Sequence, residues 1–66
     1  MPRFTVLLTD YAWPDLEIER RLLAAIDAEL LVAEDASVAG LKALAPRADA
    51  IMTNWAKVPR EVIEAA

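Results

Sequence analysis

The stretch Phe4-Thr5-Val6-Leu7-Leu8-Thr9-Asp10-Tyr11-Ala12-Trp13-Pro14-Asp15 decides the fold. From Phe4 to Leu8 every residue is apolar or β-branched, and none is charged. Alternation would mark a strand with one wet face, whereas an unbroken run marks a strand covered on both faces, as in a parallel sheet. Thr9-Asp10 closes that strand, Tyr11-Ala12-Trp13 makes a loop, and Pro14-Asp15 opens a helix. Open α/β sheets carry their sites at the carboxyl ends of their strands, so this loop is the first place to look for one.

Downstream, Asp15 is placed to cap a helix over residues 16–26. Ile18, Leu22 and Ile26, widened by Leu23 and Ala25, predict its inward stripe. Glu17, Glu19, Arg20 and Arg21 form a solvated outer face, with Glu17 four residues before Arg21 in the favourable order for a helix pair. A short connection over 27–29 leads to a second buried strand over 30–33. Ser37 caps a second helix from Val38 to about residue 45, with Val38, Leu41, Leu44 and Ala45 as its apolar stripe. Gly40 inside it costs about 1 kcal/mol relative to alanine, and Pro46 stops the helix or kinks its last turn. Residues 50–53 predict a third strand. Pro59 suits the first position of a last helix, with Glu61 in its first turn and Val62 and Ile63 facing inward.

The order is β-α-β-α-β-α with short loops. Right-handed crossovers turn that order into an α/β unit, a three-stranded parallel sheet of order 2-1-3 with flanking helices. Three strands and three helices are about half of a five-stranded doubly wound domain.

Composition narrows the function classes. Sixty-six residues make one small domain, and such a chain buries only about 60% of its unfolded surface. There is no cysteine and no histidine. The commonest general base, the commonest metal ligand and every histidine-activated nucleophile are therefore excluded, and the carboxylates form no metal-ligand pattern. A net charge of −4 argues against nucleic acid as a partner. The hydrophobic fraction of 58% includes many alanines yet supplies enough Val, Leu, Ile, Phe, Trp and Met for a packed core. No apolar run approaches the roughly 20 residues that span a bilayer. Met1-Pro2-Arg3 lacks the pattern of a signal peptide, so no membrane partner and a cytoplasmic location are expected. The single glycine, Gly40, lies within a helix, which excludes the Gly-x-Gly-x-x-Gly and Walker phosphate loops.

The candidate site residues are aromatic and polar groups at strand ends. In the order 2-1-3 the loops after strands one and three are neighbours at the carboxyl edge. Trp13 and Trp55 then line one wall of a cleft, with Asn54 and backbone N–H groups binding a carboxylate. The alternative is that each indole simply covers a helix end. Asp10 reads as a solvated or loop-capping acid.

The motifs Leu7-Leu8-Thr9-Asp10-Tyr11-Ala12-Trp13-Pro14-Asp15, Ile18-Glu19-Arg20, Ala48-Asp49-Ala50-Ile51-Met52-Thr53-Asn54-Trp55-Ala56 and Glu61-Val62-Ile63 occur in order. Together they resemble the start of the D-isomer-specific 2-hydroxyacid dehydrogenases, in particular members related to phosphoglycerate dehydrogenase and the C-terminal-binding-protein corepressors. The likeness covers nearly the whole chain and rests on the ordered set. It implies the first half of a flavodoxin-like substrate-binding domain. In that family an NAD-binding Rossmann domain and a catalytic Arg, Glu or Asp, and His come further along. The fragment is thus expected to be inactive alone, with no catalytic residue, cofactor site or metal of its own, while the parent enzyme uses NAD. By position, the resemblance assigns Asn54, Trp55 and Ala56, together with Tyr11 and Trp13, to the substrate cleft. Asp10 also resembles the acidic pocket of response-regulator receivers, but Thr53-Asn54 stand where that family needs a phosphoacceptor aspartate.

Two further classes stand beside the dehydrogenase fragment: a stand-alone or engineered half-domain that assembles with itself, and a small-anion binder without catalysis. The expected assembly is a homodimer through the 50–53 edge strand and the last helix, with Val58, Val62 and Ile63 in the interface.

Overall fold

The computed structural model describes residues 3–66; the amino-terminal reading of Met1 and Pro2 lies outside them. Strands β1 (Phe4–Leu8), β2 (Ala28–Val32) and β3 (Ala50–Met52) form one sheet of order β2-β1-β3. Both pairings are parallel. Helices α1 (Glu17–Ala24), α2 (Val38–Leu44) and α3 (Arg60–Ala65) connect and follow the strands, and a 3-10 turn (Ala45–Arg47) extends α2. The expected α/β architecture and strand order are therefore those of the molecule. The uncharged run of β1 is central, as its composition requires, and Leu7 and Leu8 are almost completely buried.

Register divides the core into two faces. Val6 pairs with Leu30 and Ala50, and Leu8 pairs with Val32 and Met52, so these residues point to one side. There Val6, Leu8, Ala28 and Leu30 pack with Leu16, and with Leu23 of α1. On the other side α2 and α3 lie together, and Leu41, Ala45 and Val62 meet Ala33, Ile51, Val58 and Ala65.

Several local expectations are corrected. Helix α1 begins at Glu17 and ends at Ala24, not over 16–26, because the chain leaves it through a turn at 25–27 to start β2 at Ala28. Asp27 in that turn takes a left-handed φ of 59°, a conformation that Asp and Asn tolerate better than most residues. Asp15 does not occupy the N-cap position; Leu16 does, and the Asp15 carboxylate accepts from the Glu17 N–H at 3.1 Å.

Most of the predicted inward stripe faces out, Ile18, Leu22 and Ile26 being 66, 66 and 63% exposed, while Leu23 of that stripe does pack inward. A second apolar row, Leu16 and Leu23, sets the phase of the helix by packing on β1 and β2. Arg20 locks that phase by donating to the Leu30 carbonyl at 3.3 Å. Since Ala33 N–H bonds to Leu8, alternation points the Leu30 carbonyl to the outer edge of β2. Arg20 thus covers an otherwise open edge.

Strand β2 starts two residues earlier than expected and β3 ends at Met52. In α3, Pro59 is the N-cap, Val62 is buried and Ile63 is 59% exposed. Ser37 caps α2 as expected, its hydroxyl accepting from Gly40 N–H at 3.1 Å.

Candidate functional site

The carboxyl ends of β1 and β3 lie side by side, and one side chain ties their loops together. The Asp10 carboxylate accepts three successive backbone N–H groups: Asn54 at 3.3 Å, Trp55 at 2.9 Å and Ala56 at 3.1 Å. Consecutive N–H groups converging on one point make an anion-binding concavity. Beneath them lies a row of oxygens. The Thr9 hydroxyl sits 2.7 Å from Asp10 Oδ1 and 2.9 Å from the Thr53 hydroxyl, which is 2.8 Å from the Ala56 carbonyl. Each threonine brings one hydroxyl proton. Thr53 donates to the Ala56 carbonyl, and the single Thr9 hydroxyl proton is shared between the Asp10 carboxylate and Thr53 Oγ1. Thr9 is only 1% exposed, and these contacts account for its burial.

Asp10 is held ionised. The Thr9 hydroxyl is the largest cause; desolvation opposes it, and the N–H groups of Trp55, Ala56 and Asn54 add to it, so its carboxyl lies below the usual aspartate value of 3.8. Among the described residues the ion pairs are Glu17–Arg21 and Arg60–Glu64, both on helix surfaces. The charge of Asp10 is therefore met by dipoles and not by a cation.

The five residues assigned to the cleft are gathered at this edge. Tyr11 and Trp13 pack on one another, ring centroids 5.9 Å apart and planes at 54°. Trp55 is 82% exposed. The N–H groups of Asn54, Trp55 and Ala56 are turned toward Asp10, so a ligand arriving at this loop meets the Asn54 carboxamide and the Trp55 indole first. Sequence reasoning placed Asp10 as a capping acid but did not link it to residues 54–56, and it overlooked Thr9 and Thr53. Their one signal was positional: both are threonines directly after paired strands.

Two surface depressions lie elsewhere. One of about 380 Å³ sits between the end of β2 and α2, lined by Leu31, Asp35, Gly40 and Leu44 among others. The second, about 390 Å³, runs along the outer edge of β3 beside Val58 and Ile63. Among the described residues no group of three His, Cys, Asp or Glu is placed to hold a metal ion, and no helix is long and apolar enough to cross a membrane. Family models, curated proteins and solved structures were compared with the chain, and none matches.

Proposed function

We propose that this chain is the amino-terminal part of the substrate-binding domain of an NAD-dependent D-2-hydroxyacid dehydrogenase, and that it shapes a cleft wall without transferring hydride itself. The observation that carries this reading is the pairing of the two loops: the resemblance assigns Tyr11 and Trp13 together with residues 54–56 to one cleft, and Asp10, next to Tyr11, accepts three backbone N–H groups from 54–56. An uncovered face supports it. Ala50 and Met52 share the α1 side of the sheet with Val6 and Leu8 yet are exposed. At 100° per residue Ile18 and Leu22 lie on the flank of α1 away from Arg20. Since Arg20 reaches the β2 edge, that flank borders the uncovered part of β3. A further helix and strand of the same domain fit this trough and edge. The test is the reading frame after Ala66 and the enzyme it encodes. In-frame continuation to a Gly-x-Gly-x-x-Gly segment, with NADH-dependent reduction of a 2-keto acid by the whole product, is expected. A frame without that segment, or a whole product inert toward a 2-keto acid panel, overturns the reading. The 66-residue chain alone should show no saturable quenching or enhancement of NADH fluorescence.

A second reading is a cytoplasmic assembly module that forms a homodimer, and the exposure of Ile63 beside the open β3 edge favours it. Antiparallel pairing centred on Ile51 sets Asp49 opposite Thr53 and Ala50 opposite Met52, placing no like charges across the seam. By alternation only the Ile51 N–H and C=O of β3 point outward, so such a dimer leans on side chains as much as on backbone bonds. Sedimentation equilibrium at tens of micromolar separates the readings, since the monomer is 7.3 kDa.

A further inference from the structure

The two edges of the sheet are unequally open. On β3 only Ile51 turns its N–H and C=O outward. Alternation along β2 turns out those of Ala28, Leu30 and Val32, because the Ala33 N–H bonds inward to Leu8. Such a row is a template for another strand, and the sequence of β2 does little to discourage one: it has no proline, and its one charge is Glu29. Antiparallel pairing of two copies centred on Leu30 sets Glu29 of one copy opposite Leu31 of the other. Centring on Leu31 sets it opposite Ala33, so neither register brings like charges of the strands together. Both registers use the Leu30 carbonyl as an acceptor, and that carbonyl is already engaged: Arg20 donates to it from Nη1 at 3.3 Å. Among the described residues the ion pairs are Glu17–Arg21 and Arg60–Glu64, and Arg20 enters neither, although Glu17 and Glu19 share its helix. The contact that holds this guanidinium is the strand edge.

We propose that Arg20 is an edge cap: its guanidinium occupies the middle acceptor of the open β2 edge and keeps two copies of this chain from joining through that edge. Two effects act together. A strand laid along the edge must first dislodge the guanidinium from the Leu30 carbonyl. In an isologous pairing the two Arg20 side chains also come together at one seam, where like charges repel. Position suits the role, since Leu30 is the central one of the three outward residues and a block there interrupts the whole ladder. The same contact fixes the phase of α1, so one side chain orients the helix and closes the edge beside it. The inference rests on neither functional reading: the dehydrogenase reading concerns the loops after β1 and β3, and the assembly reading uses the β3 edge.

Arg20→Ala is compared with the native chain by sedimentation equilibrium over a concentration series, with circular dichroism to establish that each is folded. Association of Arg20→Ala should set in at a concentration at least about tenfold lower than in the native chain, the weight of one hydrogen bond to a charged group. If the native chain already pairs through β3, the variant gains a second interface and forms species larger than a dimer. Amide hydrogen exchange locates the contact. The outward N–H groups of Leu30 and Val32 should exchange freely in the native chain and gain protection in associated Arg20→Ala, with the inward N–H groups of Leu31 and Ala33 as the protected reference. Where Arg20→Ala does not fold, Arg20→Gln, which keeps an amide donor but no charge, takes its place in the same comparison. A folded variant that matches the native chain at every concentration overturns the proposal. So does association that leaves the Leu30 and Val32 amides unprotected.

Discussion

Replacing Gly40 with alanine sets two physical effects against each other. Within a helix, glycine to alanine is worth about 1 kcal/mol in propensity, and the sequence alone predicts stabilisation. The structure predicts the reverse. A Cβ on Gly40 would lie 2.7 Å from the Asp35 carbonyl oxygen, 3.3 Å from Ser37 Oγ and 3.4 Å from Asp35 Cβ. Carbon-to-oxygen contacts settle near 3.3–3.6 Å, so the first is short by roughly 0.6 Å, and its partner is backbone that no rotamer change can move. The Asp35–Ser37 turn is itself pinned: Ser37 donates to the Asp35 carboxylate from both its N–H and its hydroxyl at 2.9 Å. Relief must come from shifting that turn away from α2. Overpacking of this kind costs about 1–3 kcal/mol, and loosening the Ser37 cap adds about 1 kcal/mol. Against the propensity gain, the net loss is about 1–3 kcal/mol. For a domain of this size each kcal/mol corresponds to about 4–8 °C in Tm, so the midpoint should fall by roughly 5–20 °C. Urea titration of Gly40→Ala beside Ala39→Gly, an exposed neighbour on the same helix, isolates propensity from contact. Combining Ser37→Ala with Gly40→Ala should cost less than the sum, because both act on one turn. A Gly40→Ala chain at least as stable as the native one would refute the close approach.

The remaining predictions address the core, the helix phase, the turn and the acid limb. Leu7→Ala empties a completely buried site and should cost about 2–5 kcal/mol, enough to unfold much of a chain whose whole stability is about 3–10 kcal/mol; circular dichroism at 25 °C reads this directly. Leu22→Lys should leave the urea midpoint within about 0.5 kcal/mol of native, whereas Leu23→Lys should abolish cooperative folding; the opposite ranking would restore the 18–22–26 row to the core. Asp27→Gly removes the left-handed penalty and should stabilise by up to about 1 kcal/mol, measured the same way. Asp35 is held below the usual 3.8 by the N–H and then the hydroxyl of Ser37, as Asp10 is by Thr9 and residues 54–56. Both folded values are depressed, so their contribution is complete above the unfolded value of 3.8 and is lost as the pH falls through the folded ones. The urea midpoint should drop as the pH falls below 3.8, and less steeply in Asp10→Asn; a flat profile would contradict the ionised assignment.

What the sequence determined by itself were the features written in short-range pattern. The unbroken run from Phe4 to Leu8 made β1 the central parallel strand. Ser37 marked the start of α2, Pro46 its end, which the structure realises as a 3-10 turn, and the alternation of elements led to the order β2-β1-β3. Tertiary structure alone decided which apolar row of α1 is buried. Ile18, Leu22 and Ile26 satisfy helical spacing as well as Leu16 and Leu23 do, and only the position of β2, fixed by Arg20 on its edge carbonyl, selects the second row. It also decided why Gly40 is glycine, since the Asp35 carbonyl that excludes a Cβ belongs to the turn before the helix. The partners of Asp10 are N–H groups 44 to 46 residues away. Backbone donors carry no side-chain signature, so this concavity exists only once the sheet has brought the ends of β1 and β3 together.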